Sequence, residues 1–312
     1  MRLRCLMKKI IYIVLISPLL LFGCSPIDHH LNKTSRSIPE EMPASKYVGQ
    51  GFQPKAEKSA IEYAKKHRKE YEKLGERFFK DNFSLNVKAT NVVGSGDGVE
   101  VFVHCDDHDI VFNASIPFDK ESIHEKGSMR SHDNGDDMSS MVGTVLSGFE
   151  YRANKEKLDN LTSFFRENED NYSYTGFTKQ AVTKTQVGGF KNQYYYISAV
   201  PYSIGEYRKH FEPLINKNDS EFVSGMKKAK KELNDESKPY LTTTFFSTKK
   251  NFSKDNSTDD ILNLADKLKR NHSIPHNFNM QIQLSDSKIN PFNPSYSKKD
   301  TIKYGVFNHE SN

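Results

Sequence analysis

Hydrophobic residues recur along this chain with two periods, separated by polar stretches. The first apolar stretch, Ile10 to Phe22, has no period. It carries no charge, contains Pro18 and is shorter than the ~20 residues a membrane-spanning helix needs. From Glu57 to Lys80 the period is helical, with Ile61, Ala64, Tyr71, Leu74 and Phe78 on one stripe and Lys and Glu elsewhere, which predicts an amphipathic helix. Leu85, Val87 and Ala89 alternate with polar residues, Gly94-Ser95-Gly96-Asp97-Gly98 turns the chain, and Val99, Val101 and Val103 alternate again. After a second turn at Cys105 to Asp109, Ile110 to Ile116 returns, so the pattern predicts a three-stranded antiparallel meander. Met138, Met141, Val142, Val145, Leu146 and Phe149 make a second helical stripe, with Asp136 or Asp137 placed to cap it. Leu158, Leu161 and Phe165 continue helically.

The second half repeats the mixture. Tyr194-Tyr195-Tyr196-Ile197 and Tyr240 to Phe246 read as strands, and Phe222, Met226, Ala229 and Leu233 as a helix started by Asn218 or Asp219. Ser257-Thr258-Asp259-Asp260 has the form of a capping box before a helix carrying Ile261, Ala265 and Leu268. Phe278, Met280, Ile282 and Leu284 alternate as a strand with one wet face. The order of elements gives an α+β fold, with small antiparallel sheets packed against amphipathic helices, as one body or two related subdomains divided near 170–190. Residues 24–56 are polar and proline-containing and read as a flexible spacer before a globular domain over 57–286. Residues 287–312, with Pro291 and Pro294, read as a polar tail.

Charge changes the reading of the N-terminus. Arg2, Arg4, Lys8 and Lys9 precede the apolar run, which ends in Leu21-Phe22-Gly23-Cys24. A basic segment, a short apolar segment and a small residue at a cut site make a secretory signal over residues 1–23. The Cys after Gly23 has the form of a lipobox, with Phe22 where a smaller residue is usual. Cys24 is therefore the expected lipid-attachment site, and two acyl chains suffice for stable anchoring. The formal charge of +5 is mostly this signal: without its four basic residues, 41 Lys and Arg face 40 Asp and Glu. Nothing concentrates basic charge as a nucleic-acid binder would. With Cys5 removed and Cys24 alkylated, Cys105 is left alone and no internal disulfide is expected.

Candidate chemistry is sparse. His104-Cys105-Asp106-Asp107-His108-Asp109 is the densest group of metal-binding side chains, and imidazole, thiolate and carboxylate all ligate zinc. The spacing matches no recognised site, and charged residues at a hairpin tip are expected to be solvated. No metal ligand is assigned, and His104, Cys105 and His108 are the candidates for one. Cys105 next to His104 would be a nucleophile beside a base, but neighbours on a strand face opposite ways. The glycine run at Gly94 opens a strand rather than a helix, so it is no nucleotide loop. No Walker motif and no Gly-x-Ser-x-Gly elbow occurs. No catalytic residue and no cofactor is assigned.

Cys24, Tyr47-Val48-Gly49-Gln50-Gly51-Phe52, Asn91-Val92-Val93-Gly94, Val101-Phe102-Val103, Tyr194-Tyr195-Tyr196-Ile197 and Ser273-Ile274-Pro275 together resemble a family of uncharacterised staphylococcal-type lipoproteins known only as a domain of unknown function. The resemblance spans most of the mature chain and implies an envelope location, with no mechanism. The expectation is a non-enzymatic binding module, held on the extracellular face of the cell membrane by its lipid, with an envelope or extracellular partner and no nucleic acid. Tyr194 to Tyr196 would line its ligand pocket. The alternative is an envelope metal-binding protein or hydrolase working from the His104–Asp109 turn.

Overall fold

The computed structural model describes residues 38–133, 135–295 and 300–307. The signal, the lipobox and Cys24 lie outside the described residues. From Ile38 onward the chain forms one compact α+β unit.

A short strand β1 (Met42–Pro43) opens it. Helices α1 (Lys58–Lys66) and α2 (Arg68–Phe83) then lie on the meander β2 (Val87–Ser95), β3 (Gly98–Asp107) and β4 (Ile110–Phe118). The single helix expected over 57–80 breaks at His67. The break re-phases the stripe, so that Ala60 and Ala64 and then Tyr71, Leu74, Phe79 and Phe83 are buried. Within the meander, Val99, Val101, Val103 and Cys105 register with Phe118, Ile116, Ala114 and Phe112. Period-two alternation puts all eight on one face, and that face is the first core. Gly75 lets α2 press onto it, because a Cβ there would stand 2.6 Å from a methyl of Val101.

Helix α3 (Asp136–Ala153) packs on β4 and α4 (Lys155–Glu167) follows. The N-cap of α3 is Gly135, with no side-chain cap; Asp136 and Asp137 sit in the first turn, where they favour the helix dipole. Next come β5 (Tyr174–Thr175), α5 (Lys179–Thr185), β6 (Tyr195–Ser198), α6 (Ile204–Glu206), α7 (Asp219–Glu232), β7 (Tyr240–Thr243), β8 (Phe245–Ser247), α8 (Lys254–Lys269), β9 (Asn279–Ser285), β10 (Lys288–Ile289) and β11 (Ile302–Phe307). Asn218 caps α7 as expected. Helix α8 begins earlier than expected, because Ser253 and Asn256 complete the capping box and Ser257 is buried inside the helix.

The larger sheet is mixed. β7 and β8 run parallel to β9 on the same register and act as one ribbon, interrupted at Thr244, whose N–H goes to the Tyr194 carbonyl. β6 and β5 flank that ribbon antiparallel, and β11 closes the other side of β9. β9 is therefore central, and its second face is covered at one end: Gln283 and Ser285 are buried while Asn279 and Gln281 are half-buried, so the expected wet face is confined to the start of the strand. The second core lies here under α4 and α8. The chain does not divide near 170–190, because Ile204, Tyr207, Phe211, Phe222 and Met226 return to the first core.

Both presumed loose ends are built in. Ala44 and Tyr47 are fully buried with Phe177, Phe246 and Ile289 in a third cluster. β1 pairs β10, and β11 pairs β9 across Ile302–Leu284 and Tyr304–Ile282. The spacer expected to reach residue 56 is thus structured from about Met42, and the tail expected from 287 supplies two strands.

Candidate functional site

The outward face of the meander is where these returning ends converge. Opposite the core-facing valines, β3 presents Glu100 and Phe102, and β4 presents Asn113 and Ser115. Three segments cover that face.

The first is residues 47–55. The Tyr47 hydroxyl donates to the Pro291 carbonyl at 2.8 Å, and Thr178 donates its hydroxyl to the Tyr47 carbonyl. Gln53 Nε2 donates to the Gly94 carbonyl at 2.7 Å. Phe52 is thereby set edge-on to Phe102, with ring centres 5.3 Å apart. The second segment is the end of α5 and the turn after it. Thr90 Oγ1 donates to the Thr183 carbonyl at 2.5 Å. Gly189 and Asn113 exchange backbone hydrogen bonds at 2.9 and 3.0 Å. Gly189 has φ +117, and a Cβ there would meet Ser147 Oγ at 2.3 Å, so this close approach requires glycine. The third segment is Phe292 to Pro294.

Between them lies a cleft of about 870 Å³. Phe52, Phe102, Val187, Tyr196 and Phe292 give it aromatic and apolar walls, and Gln53, Lys55, Glu100, Thr185, Gln186, Lys191 and Asn293 are its polar side chains. Apolar walls with a few placed polar groups are the usual make-up of a small-molecule site. Val187 and Phe292 on its lining are 45% and 42% exposed, unusual for such residues. Ile38, also exposed, approaches Phe292 across Gly51.

Lys191 is the unusual group. It is only 6% exposed. Its ammonium donates to Gln186 Oε1 at 2.7 Å and lies 5.0 Å from the Phe177 ring centre and 5.8 Å from that of Tyr196. Gln186 is turned to accept because its own amide donates to Thr185 Oγ1 and the Pro294 carbonyl. Burial draws the Lys191 amine down to about 7, since a charge removed from water is disfavoured.

The residues singled out from the sequence are placed as follows. His104 Nδ1 is 2.9 Å from Asn113 Oδ1 on the outward face. Cys105 is fully buried on the opposite face, its thiol 3.6 Å from the Asn86 carbonyl and pushed up to about 12 by burial. His108 and Asp109 both have positive φ and form the two-residue hairpin turn, with His108 Nε2 3.7 Å from Asp107 Oδ1. His104 and Cys105 are therefore not brought together. Among the described residues no group of three His, Cys, Asp or Glu could hold a metal. Of the three tyrosines, Tyr194 and Tyr195 turn into the core and only Tyr196 lines the cleft. Lys191, Gln186 and Phe292 were invisible to sequence reasoning. The available signal was a lone lysine beside Gly188-Gly189 and within an aromatic run.

A family model described as a protein of unknown function (DUF1672) matches residues 34–311. None of the curated proteins matches. A crystal structure of a DUF1672 family protein from Staphylococcus aureus subsp. aureus Mu50 is similar throughout: it is 61% identical, with a TM-score of 0.86, over 88% of this chain and 100% of that one.

Proposed function

The chain belongs to the DUF1672 family of proteins of unknown function, and we propose that it is a ligand-binding module of the cell envelope, lipid-anchored at Cys24 and working through the Lys191 cleft. The observation that carries the binding role is that cleft, where three separate segments are tied down around aromatic walls and one buried amine. The anchoring rests on the basic, apolar and Gly23-Cys24 pattern of the N-terminus.

The metal or hydrolase reading gains no support from the hairpin, whose His104 and Cys105 face opposite ways. Two experiments test the proposal. Growth with an alkyne fatty acid should label the wild-type protein, and Cys24→Ala should abolish the label; label persisting in the variant refutes the anchor. Ligand-observed NMR of the mature chain against a small-molecule extract of the envelope should show bound species that disappear in Phe102→Ala. Identical spectra for the two proteins would refute the cleft.

A further inference from the structure

Phe292 and Val187 line the cleft yet are 42% and 45% exposed, so an occupant is covered on one side and meets water on the other. A wholly apolar ligand would keep much of its surface wet there and gain little from the walls. A flat molecule with one apolar face and a polar edge loses nothing by it. The polar side chains fit the same description. Gln186 is engaged with Lys191 at 2.7 Å, Gln53 with the Pro54 and Gly94 carbonyls, and the Thr185 hydroxyl with the Ala181 carbonyl. Glu100 spends one carboxylate oxygen on the Ser115 hydroxyl at 2.6 Å and has a second. A ligand therefore meets Glu100, Lys55 and Asn293, of which the first accepts, the second donates and the third does both. Such a set serves ligand groups that themselves both donate and accept, as hydroxyls and amides do.

We propose that the cleft binds a neutral oligosaccharide, one sugar ring lying on Phe292 and its hydroxyls meeting Glu100, Asn293 and Lys55. This rests on reading the cleft as the ligand site. A pyranose has the required shape: C–H groups gather on one face of the ring, and hydroxyls stand around its edge. The volume of about 870 Å³ lies within the ~300–1,000 Å³ of small-molecule sites and takes a short run of sugars. Two consequences follow. The ring of Phe292 matters as a ring, since its face attracts the C–H groups beyond what apolar area alone supplies. An uncharged ligand releases no counter-ions, so its affinity is insensitive to salt.

The test is protein-observed NMR titration of the mature chain with tri-N-acetylchitotriose and with maltotriose. At least one should bind, with an affinity that changes less than about twofold between low and high salt. Phe292→Leu keeps an apolar side chain but no ring and should weaken binding about fivefold, whereas Phe292→Tyr keeps the ring and should bind as the wild type does. Phe292 is exposed, so both variants should fold, which thermal melting checks. A sugar bound equally well by Phe292→Leu, or one whose affinity collapses with salt, overturns the proposal. The neutral apolar dye N-phenyl-1-naphthylamine separates this from the cleft itself. If neither sugar binds up to its solubility limit but the dye binds the wild type and not Phe102→Ala, the cleft stands and only the sugar reading falls. If neither sugar nor dye binds, both fall.

Discussion

Replacing Lys191 by methionine should stabilise the protein, and by an amount that depends on pH. A lysine amine that ionises near 10.5 in water is drawn to about 7 in the fold. Below about pH 7 folded and unfolded chains both hold the proton, and folding must bury a charge. Between about 7 and 10.5 the unfolded chain keeps the proton that the folded chain has released, so stability rises with pH across that window. Linkage gives the wild type a gain of about 2 kcal/mol between about pH 6.5 and pH 8.5. Methionine fills a similar volume with no charge and has no such gain. The advantage of Lys191→Met should therefore be largest at the lower pH and shrink by about 2 kcal/mol at the higher one. Cys105 works in the opposite sense: its thiol, held near 12 by burial, costs stability once an unfolded thiol ionises near 9. That effect is common to both proteins and cancels in the difference. The assay is urea denaturation of both proteins at the two pH values. Two stability curves that run parallel would refute the argument, because they would mean that Lys191 is charged in the fold and adequately solvated or paired.

One further substitution and one truncation test packing elsewhere. Glu150 is 6% exposed and pairs with Lys230 at 2.5 Å, so Lys230→Met should cost about 3 kcal/mol near neutral pH by leaving a buried carboxylate alone. Burial raises the Glu150 carboxyl, so the folded state holds its proton longer than the unfolded one, and the loss should be smaller in acid; a urea midpoint equally lowered at about pH 5 and pH 8 would contradict this. Deleting the chain from Lys288 onward removes β10, β11, Ile289 and Val306, and should lower the thermal midpoint sharply, the two buried side chains alone being worth about 3 kcal/mol or more. A melting curve unchanged by the deletion would mean that the C-terminal strands are passengers.

The contrast between what the pattern predicts and what forms has a physical cause. The meander was legible because Val99, Val101, Val103 and their partners satisfy one local rule, alternation, and the same rule separated His104 from Cys105. Helices α2, α3 and α7 were legible from their stripes. What failed were segments whose apolar residues are few and whose partners are remote. Tyr47 looks like a stray tyrosine in a proline-containing spacer until its hydroxyl reaches Pro291, 244 residues away. Ile302, Tyr304 and Val306 do alternate, but in a polar setting that gives no hint of β9 beside them. The parallel pairing of β7 and β8 with β9 depends on topology, which no window of sequence contains.

The same distinction accounts for the position of the cleft. A segment with a strong local period commits its side chains to a core face, and its polar face is left to solvent. A segment with weak period is free to be placed by a few long-range bonds, and its side chains can be aimed at a shared space. All three segments that cover the outward face of the meander, 47–55, 184–191 and 292–294, are of the second kind. Each is pinned by a handful of polar contacts: Tyr47 to Pro291, Thr90 to Thr183, Gly189 to Asn113 and Gln186 to Pro294. A lysine can be buried where they meet because the pins cost little locally and the turn supplies Gln186 to receive the amine. Local pattern is therefore least informative where this chain gathers its unusual chemistry, and Lys191, unremarked in sequence, is the residue on which a function for the fold can be tested.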